Sequence, residues 1–335
     1  MFFNIEGRDD KYRTELKNFI EVEYQLKISS INEHVRGWYG ETWKLICESD
    51  DSSRKKNPCK YFAKIIYFKK QAKKYMQCFP VLYYMKEKGI DYISSYISSR
   101  SGRSYLLFKG GTLALFDFAE GLHIDDKPLT LVPLMTKIYS LPPPDFPIES
   151  ETFASNVYSD LEEQIKKLHL TEIEAYDIVN SNCKLLMDVN IRMKHYAEIA
   201  QTKTAVSTGS SSLPLCFGIT SGDIGGNTLV NNGRYTIIDW DWIMLAPPER
   251  DFWWYIQDPA QIIDINMAFK EIAFNYSLDM DIIAYYTHFS YLYFLTETID
   301  CLLFNPLSKS EVIQRLNEHF DKDGFLRKNL RNCLT

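Results

Sequence analysis

The stretch SGDIGGNTLVNNGRYTIIDWD, residues 221–241, constrains this chain more than any other. Asn232-Gly233 sits between two short runs rich in β-branched and aromatic residues, the sequence signature of a two-residue hairpin turn. One strand is expected over Thr228 to Val230 and its partner over Tyr235 to Ile238. Pairing them carries Asp239, at the end of the second strand, back towards Asn227, at the start of the first. Asp223 precedes the pair across the tight turn Gly225-Gly226. Two carboxylates and an amide therefore converge on one spot.

Such a group of oxygen donors suits phosphoryl transfer. That chemistry needs a carboxylate to orient a hydroxyl and take its proton, and hard oxygen ligands to hold magnesium against nucleotide phosphates. Asp223 fits the first role, and Asn227 and Asp239 the second.

The remainder of the chain supplies a frame for that cluster. With 335 residues, 45% of them hydrophobic, it is long enough for a large core and for two lobes. Residues 11 to 26 read as an amphipathic helix, Val35 to Glu48 as two strands around a turn at 37–40, and Lys60 to Phe68 as an apolar strand. The run from Lys69 to Lys88 is helical in composition, and Pro80 is expected in the first turn of a second helix. Ser104 to Phe108 and Thr112 to Phe116 read as strands. After Gly121 helices dominate: Leu129 to Ser140, Thr152 to Leu168, and one long segment from Thr171 to about Ala200. A Ser-rich loop, Ser207 to Ser212, separates that segment from the hairpin.

Charge is divided unevenly. Residues 1–118 carry 21 Lys+Arg against 14 Asp+Glu, whereas the remainder carries 17 against 30, so the first part suits anions and the second suits cations. Seven scattered cysteines without a C-x-x-C pair fit neither a disulfide framework nor a zinc site, and point to reduced thiols and a cytoplasmic setting, or export into a host cytosol. No apolar run is long enough for a transmembrane helix.

The ordered loop, hairpin and continuation IDWDWIMLAPPERDF (residues 238–252) resemble the catalytic and metal-binding segments of the aminoglycoside phosphotransferase and choline kinase group, within the protein kinase-like superfamily. The spectinomycin phosphotransferases are similar in this motif. The resemblance implies an α+β, bilobal fold, with a small mixed-sheet N-lobe over residues 1–118 and a larger, mainly helical C-lobe over 119–335. It implies an ATP- and Mg2+-dependent kinase in which Asp223 is the catalytic base and Asn227 and Asp239 hold the metal. Lys64, in YFAKIIYF, stands where the family's strand lysine meets the α- and β-phosphates. Gly37 and Gly40 stand at the phosphate-covering loop, and Asp117, Phe118 and Ala119 at the hinge that binds adenine.

Two departures from the family pattern are visible. Ser221 replaces a histidine two residues before the catalytic Asp, and Asp223 to Asn227 spans four steps where the family has five, so either the loop is one residue short or Gly222 occupies the Asp position. The helix after Lys64 should carry a glutamate to orient that lysine, yet no acidic residue occurs between Lys64 and Glu87. Either Glu87 or another group stands in, or something else completes the lobe. The lysines Lys69, Lys70, Lys73 and Lys74 form a solvated face or, alternatively, a site for a polyanion such as an inositol phosphate; nucleic acid is not an expected partner.

The acceptor implied by the family and by the acidic second part is the hydroxyl of a small cationic alcohol. The alternatives are a protein hydroxyl, as in an atypical protein kinase, or a pseudokinase that binds without turnover.

Overall fold

The computed structural model describes residues 9–34, 40–48, 59–124, 128–206, 217–256, 258–303 and 309–332. Gly37 and the Ser-rich loop lie outside them. In chain order the elements begin with α1 (Asp10–Tyr24), β1 (Ile28–Glu33), β2 (Gly40–Cys47), β3 (Cys59–Ile66), α2 (Lys69–Glu87), β4 (Tyr96–Ile97), β5 (Leu106–Phe108), β6 (Gly111–Asp117) and β7 (Leu122–His123). Next come α3 (Pro128–Tyr139), α4 (Val157–Thr171), α5 (Ile173–Asn180), α6 (Cys183–Val206), β8 (Gly218–Thr220), β9 (Thr228–Asn231), β10 (Arg234–Ile237) and β11 (Met244–Ala246). The chain finishes with α7 (Glu249–Phe252), a 3-10 turn (Trp253–Tyr255), α8 (Pro259–Glu271), α9 (Met280–Leu303), α10 (Lys309–Phe320) and α11 (Phe325–Asn332). These elements divide into two compact units, one made of Asn4–Asp125 with Gly226–Ile243, the other chiefly of Asp126–Gly225 with Met244–Thr335.

The first unit is built on a sheet of order β1-β2-β3-β6-β4, with β5 pairing β6. Every one of these pairs is antiparallel, where a mixed sheet was expected. The register Thr42↔Lys64↔Ala114 fixes which side chains share a face. On one face Trp43, Leu45, Ala63, Ile65, Leu113 and Leu115 are buried, together with Leu16 and Ile20 of α1. On the other, the rings of Tyr75 and Phe79 from α2 pack at 6.4 and 6.1 Å from Phe116. Lys64 is on this second face, since it alternates with Ala63 and Ile65.

Gly40 is required by this sheet, because a Cβ there would lie 1.9 Å from the Ile65 carbonyl oxygen. A strand forms at residues 28–33, and the start of the strand expected from Val35 lies outside the described residues. Helix α2 is one continuous helix, with Pro80 inside it rather than in the first turn of a second helix. Pro80 is exposed, whereas Tyr75, Cys78, Phe79, Val81, Leu82 and Met85 are buried around it, so packing outweighs the lost backbone bond. A smaller sheet, β10-β9-β7, completes the unit.

The second unit is helical apart from the β8–β11 pair. Its centre is α9, buried on nearly every side from Ile282 to Cys301 and packed against α6, α4 and α10. The long helix expected from Thr171 is broken into α5 and α6. The break is local chemistry: the Ser181 hydroxyl donates to Asp177 O at 2.7 Å and the Asn182 amide to Ile178 O at 2.9 Å, closing off the end of α5. Among the described residues no helix is long and apolar enough to cross a membrane. Cys47, Cys59, Cys78, Cys183 and Cys301 are free thiols.

Candidate active site

The hairpin forms as its sequence dictates. Thr228 pairs with Ile237 and Asn231 with Arg234, and the turn residues Asn232 and Gly233 have φ of 48° and 76°, the left-handed pair that a two-residue turn demands. Beyond the last strand pair, Ile238 N donates to Asn227 O at 2.8 Å, which brings Asn227 alongside the residue before Asp239. The strand ends there because Asp239 turns into the left-handed region, φ 57°, a conformation that Asp tolerates better than most residues. The indole Nε1 of the buried Trp240 donates to Ile237 O at 3.0 Å and pins that turn.

Lys64 reaches from β3 into this turn. Its Nζ lies 2.7 Å from Asp239 Oδ1 and 2.6 Å from Asp241 Oδ2. Burial disfavours the ammonium, but the two carboxylates outweigh it and raise the lysine pKa, so the amine is charged throughout the physiological range. At Asp239 burial is outweighed by the Lys64 charge and hydrogen bond, which hold the carboxyl below its usual range. Burial, with the charge of Asp239 added to it, pushes Asp241 up. The Asp239 side chain is 44% exposed, whereas Asp241 is 21% exposed and Lys64 15%.

Lys64, Asp239 and Asp241 thus meet within one unit, and Asn227 lies beside them through its backbone bond to Ile238, the approach of Asn227 and Asp239 that the hairpin pattern led us to expect. Glu87 does not stand in as the partner of Lys64: it is exposed at the last position of α2, three turns beyond Tyr75, whose ring is the α2 group 5.6 Å from the amine. In the segment expected to be the hinge, the amides of Asp117 and Phe118 donate to Ser95 O and Lys60 O, at 2.9 and 3.2 Å. Lys74 lies 4.6 Å from the centre of the Trp242 ring.

Asp223 belongs to the other unit, exposed on the loop after β8. That loop is held from behind by the Arg250-Asp251 pair. Asp251 accepts from Gly222 N at 2.6 Å, from Ser221 N at 3.4 Å and from the Tyr139 hydroxyl at 2.9 Å. Arg250 Nη1 donates to Thr220 Oγ1 at 2.8 Å. Gly222 has φ 80°, and a Cβ on it would sit 2.3 Å from the Arg250 guanidinium. Tyr139, 112 residues from Asp251, carried no sequence signal for this contact.

No protein-family model and no curated protein matches this sequence. Solved structures do match. A spectinomycin phosphotransferase in complex with ADP and spectinomycin superposes with TM-score 0.68 at 17% identity, covering 95% of this chain and 98% of its own. The fold is that of these phosphotransferases. A type I macrolide 2'-phosphotransferase is similar with TM-score 0.55 at 11% identity, covering 92% of this chain and 96% of its own. An amicoumacin kinase in complex with AMP-PNP, Ca2+ and Ami matches with TM-score 0.54 at 14% identity, each chain covered to 95%. The kinase-like, bilobal α+β architecture is thereby established.

The donors present fit a magnesium ion shared with nucleotide phosphates. The Asp239 carboxyl is held below its usual range and is 44% exposed, and Asn227 is tied through its backbone to the residue before it. Among the described residues no group of three or more His, Cys, Asp or Glu side chains could hold a metal by protein ligands alone, and magnesium in phosphotransferases does not need one.

Proposed function

We propose that this chain is an ATP- and magnesium-dependent phosphotransferase that moves the γ-phosphoryl group to the hydroxyl of a small, cationic alcohol. The observation that carries the reading is the Lys64–Asp239 ion pair at the open end of the β9–β10 hairpin, where Asn227 bonds through its backbone to Ile238. A bound magnesium ion would neutralise charge on the β- and γ-phosphates, held by Asn227 and Asp239. Lys64 would bind the α- and β-phosphates, and the backbone around Asp117, Phe118 and Ala119 the adenine. Residues 1–118 would supply the nucleotide-binding sheet and helix, and 119–335 the catalytic loop, the metal site and the acceptor site.

Asp223 orients the acceptor hydroxyl and takes its proton as the oxygen attacks phosphorus. Its loop must be stiff for that task, and the Asp251 bonds to Gly222 and Ser221 provide the stiffness. The two nucleotide complexes described above support the cofactor assignment, and their ligands suggest the acceptor class. The acidic excess beyond residue 118 favours a cationic one. A polyanion partner at Lys69, Lys70, Lys73 and Lys74 receives no support from these likenesses.

The test is phosphate transfer from γ-labelled ATP to a panel of aminocyclitols, amino alcohols and unrelated proteins. Label in a basic small molecule, and none in protein, is the expected result. Label in protein alone would replace the small acceptor by a protein hydroxyl, and specific nucleotide binding with no transfer to anything would leave a binding module.

A further inference from the structure

We propose that Asp241 is the positioning residue for Lys64, taking the place of a carboxylate on the following helix. The inference rests on the phosphotransferase reading above and adds a role to a residue that reading leaves unused. Lys64 needs a fixed partner, because a four-carbon side chain released from one would sample many rotamers and seldom meet the phosphates. The helix that packs on its face of the sheet cannot provide one. Residues 65–86 contain no acid, and α2 turns the ring of Tyr75 towards the amine, 5.6 Å away.

Two carboxylates do hold Lys64, and they are not equivalent. Asp239 is 44% exposed and stands at the hairpin end beside Asn227, open to a cation. Asp241 is 21% exposed and lies 2.6 Å from the amine. With a cation held by Asp239, Asp241 would be the carboxylate that still fixes the lysine. The turn bearing it is clamped on both sides. Before it, Trp240 Nε1 binds Ile237 O; after it, Trp242 lies under the Lys74 ammonium of α2 at 4.6 Å. The cation–π contact ties the aspartate's segment to the helix that lacks its own carboxylate.

A double-mutant cycle on the full chain separates this role from a direct one. Affinity for ADP with magnesium present, and ATP turnover with magnesium, are measured for the wild type, Asp241→Asn, Lys64→Met and the double variant. If Asp241 acts through Lys64, Asp241→Asn weakens ADP binding by about 10-fold in the wild type and by less than about 2-fold once Lys64 is gone. Losses that multiply would overturn the proposal and make Asp241 an independent ligand or a purely structural group. Should Asp241→Asn fail to fold, Asp241→Glu keeps the carboxylate: ADP affinity close to wild type supports the pairing, and a folded Glu variant as weak as Lys64→Met refutes it. A Lys64→Met protein with unchanged affinity and turnover would instead remove the phosphate role of Lys64 itself.

Discussion

Gly222 leaves no room for a side chain, since its φ is 80° and Arg250 fills the space a Cβ would need. Gly222→Ala is therefore expected to destabilise by about 1–3 kcal/mol and to cost turnover through the displaced Asp223 loop, read by chemical denaturation and by kcat. Asp239→Asn is the complementary case. It keeps an amide suited to the left-handed turn but loses the charge for the cation, so the melting temperature should change little while turnover falls by at least about 100-fold. Glu249 gives a pH signature. It is fully buried, accepting from the Tyr276 hydroxyl and Asp279 N, and burial pushes its carboxyl up to about 7 from 4.5. A raised carboxyl means that the native state holds the proton more tightly than the unfolded one, so its contribution is present at low pH and lost as pH rises from 4.5 through 7. Glu249→Gln should therefore become more stable relative to wild type between pH 5 and pH 8, by up to about 3 kcal/mol in urea titrations. At this scale the approach of Asn227 to the residue before Asp239 was legible in the sequence, because the Asn232-Gly233 turn sets the register that brings them together. The Lys64–Asp241 pair was not, since its members are 177 positions apart and only the fold brings them together.

Elements follow local rules until packing outvotes them. The β9–β10 hairpin could be read almost residue by residue, because Asn232-Gly233 sets both turn and register. Pro80 misled for a physical reason: its missing N–H normally ends a helix, yet here α2 continues through it with six buried neighbours. Pro80→Ala should then raise stability by about 1–3 kcal/mol, checked by thermal melting, and a decrease would mean that the helix has adapted to a kink it needs. The break between α5 and α6 was missed for the opposite reason. The apolar spacing runs on across it, while two polar side chains at Ser181 and Asn182 close the first helix.

For the whole molecule, the chain divides into two compact units. One carries Lys64, Asn227, Asp239 and Asp241, proposed above for the nucleotide and its metal, and the other carries the loop with Asp223. The bilobal fold was legible in the sequence from its motif and the order of strands and helices, and the solved phosphotransferases bear it out. The decisive measurement is magnesium-dependent ATP turnover by the purified protein beside Asp223→Ala and Asp239→Ala. Turnover that requires magnesium and is lost in both variants is the predicted result. Turnover that survives either substitution, or its absence with every acceptor tested, would contradict the assignment of this site.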